Sequence, residues 1–285
     1  MRTTTKIKPQ WLVISGGIIL FSLLFIFGKT AKHKEQQPAQ NQHDAAGHTS
    51  FTDILSDLKK DLKPYQLDYL TKLENSVSRG NVNEQQIHVN HQLAAFWRDS
   101  INAFLPYAWY TAEAAKLENS EKSLTFAAHL MESRLIGVDN PSMQHWLAEN
   151  AKVLFEKALE LNPSNDSAVV GLGACYMFGN ISDNPMEGIM KVRTVAEKDP
   201  NNIYAQKILA YGGMKSGQFD KAIERIQIIL AKEPKNMEMI AMLADAYERK
   251  GDKKNAIAQY ELLQKLIDIP EAKQDIQHRI EELRK

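Results

Sequence analysis

A repeated pattern is written in residues 201–263, which read NNIYAQKILAYGGMKSGQFDKAIERIQIILAKEPKNMEMIAMLADAYERKGDKKNAIAQYELL. Four positions of the first half recur 34 residues later, as Leu209 and Leu243, Ala210 and Ala244, Gly217 and Gly251, and Ala222 and Ala256. A fixed period of this size is typical of helical hairpins that stack side by side. The two glycines stand where each first helix would end, at a turn that favours a positive φ.

A third hairpin of the same kind precedes this pair, at residues 166–200. The step from Pro163 to Pro200 is 37 residues, three more than the period, and we assign the surplus to an exposed loop at residues 178–188. Gly188 takes the place that Ala222 and Ala256 hold in the other hairpins. Because the position is small in all three, we expect the two helices of each hairpin to approach closely there.

Weaker versions of the pattern occupy the flanking sequence. Residues 83–163 predict two degenerate hairpins, the first from residues 83–101 and 105–117 and the second from residues 123–135 and 144–161. Residues 269–285 predict a last helix with one apolar face, lined by Ile269, Ala272, Ile276, Ile280 and Leu283. Such a half-polar helix would cap the final hairpin, which has no further neighbour to cover it.

The segment at residues 51–80 has apolar residues at helical spacing, interrupted by Pro64. Proline disrupts a helix interior but suits a first turn, so we expect two short helices with Pro64 near the start of the second. The apolar stripe admits two roles. It can pack on the N-terminal end of the stack, or it can join two copies of the chain into an oligomer.

These residues resemble the tetratricopeptide repeat family, closely over residues 164–268, which would hold three repeats, and loosely over residues 83–163. The resemblance implies an all-α fold, a right-handed α-solenoid of helical hairpins. Repeats of this family hold protein segments and rarely catalyse reactions, so it also implies binding without enzymatic activity. The chaperone-binding members place asparagine at the ninth position of the repeat, where this chain has Ala174, Tyr211 and Asp245.

The resemblance further implies a partner-binding groove lined by the first helix of each hairpin. The family's positions correspond here to Val170, Ala174, Met177 and Phe178 in the first clear repeat, Tyr204, Lys207, Tyr211, Met214 and Lys215 in the second, and Glu238, Ala241, Asp245, Glu248 and Arg249 in the third. This lining passes from apolar, through aromatic and basic, to acidic, a gradient that would orient a bound peptide. The alternative is that these residues are ordinary solvated faces of packed helices.

A stretch of eighteen uncharged residues, WLVISGGIILFSLLFIFG at positions 11–28, follows a short tail at residues 1–10. As a helix it would span about 27 Å, close to the roughly 30 Å hydrocarbon core of a bilayer. A cleaved signal peptide is the alternative, but the stretch is long for one and lacks a small-residue cleavage site. We therefore predict one transmembrane helix ahead of the solenoid.

Residues 29–50 are polar, rich in Gln, His and Ala, and predict a disordered tether. With a short N-terminal tail in the cytoplasm, this layout predicts a single-pass protein of the bacterial inner membrane whose C-terminal head lies in the periplasm. It also resembles envelope proteins known by their repeats.

The sequence gives little support for nucleic-acid binding, metal binding, phosphate binding or catalysis. Lys and Arg total 35, as do Asp and Glu, so there is no basic excess for nucleic acid. The single Cys175 lies in an apolar pattern typical of a buried residue. His88 and His91 are three apart but have no evident third metal ligand, and GGMKSG lacks the ending of a phosphate loop. We predict no cofactor, no metal site and no catalytic residue.

Three hypotheses of function remain from the sequence. The first is a membrane-anchored adaptor whose groove binds a partner protein or a segment of one. The second is an assembly factor of the cytochrome c maturation type, which holds an apoprotein at the membrane. The third is a structural envelope protein that associates with itself through the apolar stripe of residues 51–77.

Overall fold

Helices make up the regular structure of residues 50–76 and 82–285, which a computed structural model describes. These residues lie in one unit, His48–Lys285. Within them the chain forms no strand, and the all-α prediction is confirmed. The predicted tail, membrane anchor and tether at residues 1–49 lie outside the described residues. Among the helices that are described, none combines the length and the apolar character needed to cross a membrane.

Thirteen α-helices, numbered α1 to α13, follow one another in the described residues. The chain begins with α1 (Phe51–Lys60) and α2 (Pro64–Glu74) and ends with α13 (Pro270–Arg284). Between them lie five hairpins: α3 (Val82–Ala95) with α4 (Phe104–Glu118), α5 (Glu121–Glu132) with α6 (Pro141–Leu161), α7 (Asp166–Phe178) with α8 (Pro185–Lys198), α9 (Ile203–Lys215) with α10 (Phe219–Lys232), and α11 (Met237–Lys250) with α12 (Lys253–Leu266). From α3 onward, each helix packs on the next along the chain, which is the arrangement of a solenoid.

Part of the apolar stripe of the N-terminal segment packs inside the protein. Phe51 of α1 stacks on Trp109 of α4, with ring centroids 4.3 Å apart. Leu70 and Leu73 of α2 are buried in the same cluster. Pro64 occupies the first turn of α2, as predicted. Leu67 of the same stripe is 41% exposed. Of the two roles considered, the structure shows packing on the N-terminal end of the stack for Phe51, Leu70 and Leu73, and association between copies stays a prediction.

The first helix of the first hairpin departs from the predicted helix at residues 83–101. It leaves α-helical geometry after Ala95 and continues as a π-helical turn, Phe96–Ser100. Such turns are rare and occur mostly as single turns within α-helices. Here the turn holds two adjacent aromatic side chains, those of Phe96 and Trp97, in the N-terminal core cluster. Asn102 then reverses the chain with a φ of 58°.

Small residues set the distance between the two helices of the hairpin α7–α8. A Cβ atom added to Gly188 would lie 2.4 Å from the carbonyl oxygen of Gly173, and one added to Gly173 would lie 2.8 Å from the carbonyl oxygen of Gly188. The close approach predicted at Gly188 is therefore confirmed. In the same way, the ring of Phe155 on α6 lies against Gly171, whose added Cβ would meet the ring Cζ at 2.2 Å.

The turns within the last two hairpins are those that the repeat pattern predicts. Gly217 has a φ of 73° and Gly251 a φ of 86°, so both occupy the left-handed region that favours glycine. Asn119 takes a similar conformation, with a φ of 50°, at the end of α4. Asparagine is the usual substitute for glycine at such a position, and here it ends the second helix of the first hairpin, in the connection to the next hairpin.

The loop predicted at residues 178–188 is shorter than expected, and part of it is hydrogen-bonded to a neighbouring helix. Phe178 is still part of α7 and is buried, so the connection consists of residues 179–184. Its start is fixed to α6, because His145 Nδ1 donates a hydrogen bond to the carbonyl oxygen of Asn180 at 3.0 Å. Asn180 and residues 183–187 are exposed, while Ile181 and Ser182 between them are half-buried.

The last helix, α13, covers the final hairpin as predicted for a cap. Ile280 is buried, and Ile276 and Leu283 are half-buried. Ile269 is the exception among the residues predicted on the apolar face. It precedes the helix as its N-cap and is 61% exposed.

The contact at Gly188 can be tested by adding one methyl group. We expect Gly188→Ala to destabilise the full chain by about 1–3 kcal/mol, because the new Cβ must displace a backbone carbonyl group. The measurement is the urea midpoint of unfolding, followed by circular dichroism. Gly137→Ala is the matched control, since nothing lies within 4 Å of its added Cβ. Equal midpoints for the two variants would contradict the close approach.

Candidate functional site

The first helices of the hairpins, α3, α5, α7, α9 and α11, form a row that α13 continues. We term the surface of this row the inner face, since the predicted groove residues belong to it. The helices α5, α7 and α9 pack directly on one another in addition to their packing within hairpins. The row is therefore tight in its middle, and its accessible parts lie toward the two ends.

The apolar part of the predicted lining is closed to solvent. Val170 and Ala174 have no exposed surface, and Met177 and Phe178 are also buried. The reason is that α7 is apolar on every side and packs against α5, α6, α8 and α9 at once. These four side chains therefore belong to the core of the stack, and the predicted apolar end of the gradient is absent from the accessible surface.

Tyr204, the first predicted residue of α9, belongs to a polar cluster that joins three first helices. Its hydroxyl group lies 3.4 Å from Nδ1 of His129 on α5, and its ring meets the His129 ring edge to face at 5.2 Å. His129 Nε2 in turn lies 2.8 Å from Oγ of Ser167 on α7. Burial raises the pKa of Tyr204 far above its usual range, and the carboxylate of buried Glu132 raises it further. Tyr204 thus ties helices together.

Lys207, Tyr211 and Glu238 form a bonded set across the junction between α9 and α11. Lys207 Nζ lies 2.7 Å from one carboxylate oxygen of Glu238, and the Tyr211 hydroxyl group donates to the other. The lysine also lies 5.7 Å from the centre of the Tyr211 ring. Burial by itself would raise the pKa of Glu238, but the bonds from Lys207 and Tyr211 outweigh it and lower that pKa.

These three side chains are partly exposed, so the set is both fixed and accessible. The predicted basic and acidic parts of the lining therefore neutralise each other at this point. They do not form two separate patches.

The remaining predicted residues of α9 and α11 also have partners within the protein. Lys215 Nζ lies 5.4 Å from the centre of the Phe178 ring. Met214 is half-buried against the C-terminal core cluster, which consists of Ala210, Ile223, Ile226, Ile229, Met239, Leu243 and Ala246. On α11, Asp245 and Arg249 pair with each other at 2.9 Å, one turn apart, and Ala241 is half-buried.

Glu248 connects α11 to the cap. Both of its carboxylate oxygens accept hydrogen bonds from Arg279 of α13, and Tyr260 of α12 donates to one of them at 3.0 Å. The bonds from Arg279 lower the pKa of Glu248 against the opposing effect of burial. The acidic end of the predicted gradient is thus tied to the last helix.

An open groove lies at the other end of the row, between α3 and α5, where the two helices do not pack closely as α5 and α7 do. The second helix of the first hairpin, α4, forms its floor. The groove has a volume of about 460 Å³ and is lined by His91, Ala94, Ala95, Arg98, Tyr107, Thr111, Ala115, Glu118, Lys122, Ser123 and Phe126.

None of these residues was predicted as part of the site. The degenerate hairpins depart from the family pattern, so its positions could not be carried onto them residue by residue. The available signal was the run of small residues on α3 and α4 next to the aromatic residues of α4.

Catalytic and metal-binding arrangements receive no support from the described part of the chain. Between Ser50 and Lys285, leaving out residues 77–81, no three His, Cys, Asp or Glu side chains are placed to hold a metal ion. His91 of the predicted histidine pair instead lies 2.6 Å from Glu118. Burial raises the pKa of Cys175, which keeps its thiol protonated and unreactive.

Comparison with known families identifies repeats in the second half of the chain. Residues 209–268, which run from the middle of α9 to just beyond α12, match the model of the tetratricopeptide repeat (TPR) family. The resemblance seen in the sequence is confirmed over this segment.

Two curated relatives carry the same repeats. The human interferon-induced protein with tetratricopeptide repeats 2 is 27% identical over 183 residues, which cover 57% of this chain and 37% of that protein. The mouse interferon-induced protein with tetratricopeptide repeats 3 is 30% identical over 111 residues, covering 38% of this chain and 27% of that protein. The chain therefore spans only about a third of the length of these relatives.

Solved structures also show some likeness. MamA, residues 41 to the end, from Desulfovibrio magneticus RS-1 has 19% identity and a TM-score of 0.47, with 66% of this chain and 97% of that chain covered. YrrB, a TPR protein with an unusual peptide-binding site, has 14% identity and a TM-score of 0.44, with 73% and 96% covered. A likeness at these values carries no information about function.

The bond between Glu248 and Arg279 should appear in the pH dependence of stability. Because the pKa of Glu248 is lowered in the folded protein, its contribution is complete above the ordinary value of 4.5 and is lost as the pH falls through the folded value. We expect Arg279→Gln to lower the melting temperature at pH 7 and to have progressively less effect below pH of about 4.5.

The control for this experiment is Arg284→Gln, which removes another arginine of α13 whose ion pair with Glu261, at 2.8 Å, is more exposed. It should have little effect at any pH. Carbon-13 chemical shifts of the Glu248 carboxyl group should show its pKa rising in Arg279→Gln. An unchanged titration of Glu248 in that variant would contradict the assignment.

Proposed function

We propose that the protein is a non-enzymatic scaffold that holds a partner protein, or a segment of one, on the inner face of its helical stack. The observation that carries the proposal is the set of Lys207, Tyr211 and Glu238. Tyrosine is enriched at protein interfaces, and side chains already fixed in place lose less entropy when they bind. The match of residues 209–268 to the TPR family supports the proposal, because repeats of this kind present extended binding surfaces.

We also propose that this scaffold is anchored to a membrane by residues 11–28 and tethered by residues 29–50. The support is the sequence, which has eighteen uncharged residues flanked on both sides by lysines. In this proposal the protein belongs to the bacterial inner membrane, with residues 51–285 in the periplasm. A scaffold on such a tether would search for partners only near the bilayer surface.

The binding surface is tested by crosslinking in native membranes, with identification of the crosslinked proteins by mass spectrometry. We expect the double variant Lys207→Ala with Tyr211→Ala to reduce the yield of the main crosslinked partner at least tenfold, since both half-exposed side chains are removed from the surface.

The matched control is Lys191→Ala with Tyr176→Ala, because that lysine also lies over a tyrosine ring, at 6.0 Å, on the hairpin α7–α8. Circular dichroism checks that both double variants are folded. The same partner captured equally by the wild type and both variants would refute the assignment of this surface.

The anchor is tested by deletion of residues 11–28. We expect the full chain to stay in the membrane fraction after extraction at alkaline pH, and the deletion variant to move to the soluble fraction. A C-terminal alkaline phosphatase fusion should be active if residues 51–285 are periplasmic. Release of the full chain by alkaline extraction would contradict the anchor, and an inactive fusion would contradict the orientation.

A further inference from the structure

The groove between α3 and α5 differs from the rest of the inner face because, among the described side chains, no ion pair joins its two first helices directly. From α5 to α9 the first helices pack directly, and at the next two junctions Glu238 and Glu248 bond across the gap. At the α3–α5 junction the residues that face each other from the two helices have no such ion pair among the described side chains. The contact that His91 of α3 makes here runs to Glu118 of α4, 2.6 Å away, and it leaves Lys122 and Phe126 of α5 exposed.

The floor of the groove is made of small side chains. Ala94 and Ala115 are buried, and Thr111 turns its hydroxyl group inward to donate a hydrogen bond to the carbonyl oxygen of Tyr107 at 2.7 Å. A floor of alanines and a threonine whose hydroxyl group is already satisfied is apolar toward the ligand. Because these floor residues are small, a large side chain of the ligand has room above them.

Phe126 forms the apolar edge of the groove on α5 and is 58% exposed. A phenylalanine ring left in water at this level gains free energy when another apolar group covers it, by about 25 cal/mol for each Å² of apolar surface removed from water. Tyr107 lies deeper, beneath the guanidinium group of Arg98 at 5.4 Å from its ring centre. The groove thus offers one aromatic ring at its edge and one toward its floor.

Among the described residues, Lys122 is the charged group of the groove that has no ion-pair partner. Arg98 and Lys122 supply two permanent positive charges, and Glu118 supplies the negative one, which is already bonded to His91 at 2.6 Å. Arg98 pairs with the exposed Asp99, while Lys122 is exposed and makes no ion pair within residues 50–76 and 82–285. Lys122 stands one helical turn from Phe126 on α5, so a free cation and an exposed aromatic ring lie side by side.

We propose that this groove binds a segment of a partner protein in which an acidic side chain stands next to a large apolar one. The acidic group meets Lys122, and the apolar group lies between Phe126 and the alanine floor. The proposal rests on the proposed scaffold function and adds the chemistry of the segment that is held. The tether at residues 29–50 does not fit this description, because it contains no large apolar residue.

A library of peptides nine residues long, randomised at every position, provides the test. It is selected against the immobilised full chain in detergent. We expect the selected pool to be enriched in pairs of an acidic and a large apolar residue at adjacent positions. Selection against Lys122→Glu should shift the enrichment from acidic to basic residues. Phe126→Ala should weaken the best selected peptide at least tenfold, measured by fluorescence anisotropy.

The control variants are Lys221→Glu and Val153→Ala, which change an exposed lysine and an exposed apolar residue outside the groove. Both should bind the selected peptide as the wild type does. All four substitutions are at exposed side chains, and melting curves check that the variants are folded. Enrichment that shows no acidic preference, or binding that Lys122→Glu and Phe126→Ala leave unchanged, overturns the proposal.

Other occupants of the groove would give different results. Peptides that bind all groove variants but lose affinity in Lys207→Ala with Tyr211→Ala would overturn the groove proposal and leave the proposed scaffold function standing. A dimer seen by light scattering that Phe126→Ala converts to a monomer would assign the groove to a second copy. Peptide binding that appears only after deletion of residues 1–49 would assign it to the chain's own N-terminal segment. Either result also overturns the proposal.

Discussion

Direct contact between the first helices α5, α7 and α9 is the constraint on which the rest of the inner face depends. It is possible because small residues stand where these helices approach, as at Ser167 of α7 beside His129 of α5 and at Gly212 of α9 against Met177 of α7. The same contact buries the part of the surface that a regular repeat would leave open. The middle of the stack is therefore a core, and the accessible parts of the inner face lie toward its ends.

On the C-terminal side of the stack, hydrogen bonds and ion pairs set the distance between first helices, as small residues do in the middle. Glu238 and Glu248 each accept bonds from a cation and from a tyrosine hydroxyl group contributed by neighbouring helices. Removing one partner would leave a carboxylate with fewer bonds, so each set holds its helices together: α9 with α11 at Glu238, and α11 with α12 and α13 at Glu248. Because these bonds lie at the surface, they fix the spacing of the helices while their side chains stay partly exposed to solvent.

The sequence predicted local features of this fold better than contacts between repeats. Gly217 and Gly251 were identified from the period alone because a tight turn imposes its conformation on a single residue. Gly188 was identified because a hairpin contact repeats with the same period. The burial of Met177 and Phe178 could not be predicted, since it depends on how closely α5 and α9 approach α7.

The groove at Phe126 could not be predicted from the sequence either, because it also depends on contacts between repeats. Its helices lie in the degenerate hairpins, where the family pattern no longer assigns an orientation to each position. The π-helical turn at Phe96–Ser100 also changes the direction of the side chains that follow Ala95. A periodic pattern describes what the repeats share, and the open part of this surface arises where they differ.

The central claim is that the inner face is closed in its middle, at α5, α7 and α9, and open between α3 and α5. Hydroxyl-radical footprinting with mass spectrometry tests it most directly, because methionines on different surfaces of the same chain serve as references. The account predicts that Met177 is protected from oxidation, while Met186 and Met190 on α8, which are 55% and 54% exposed, are oxidised rapidly and Phe126 is modified as an exposed ring. Oxidation of Met177 as fast as that of Met186, together with a protected Phe126, would contradict the account, since the inner face would then be open in its middle and closed at α3 and α5.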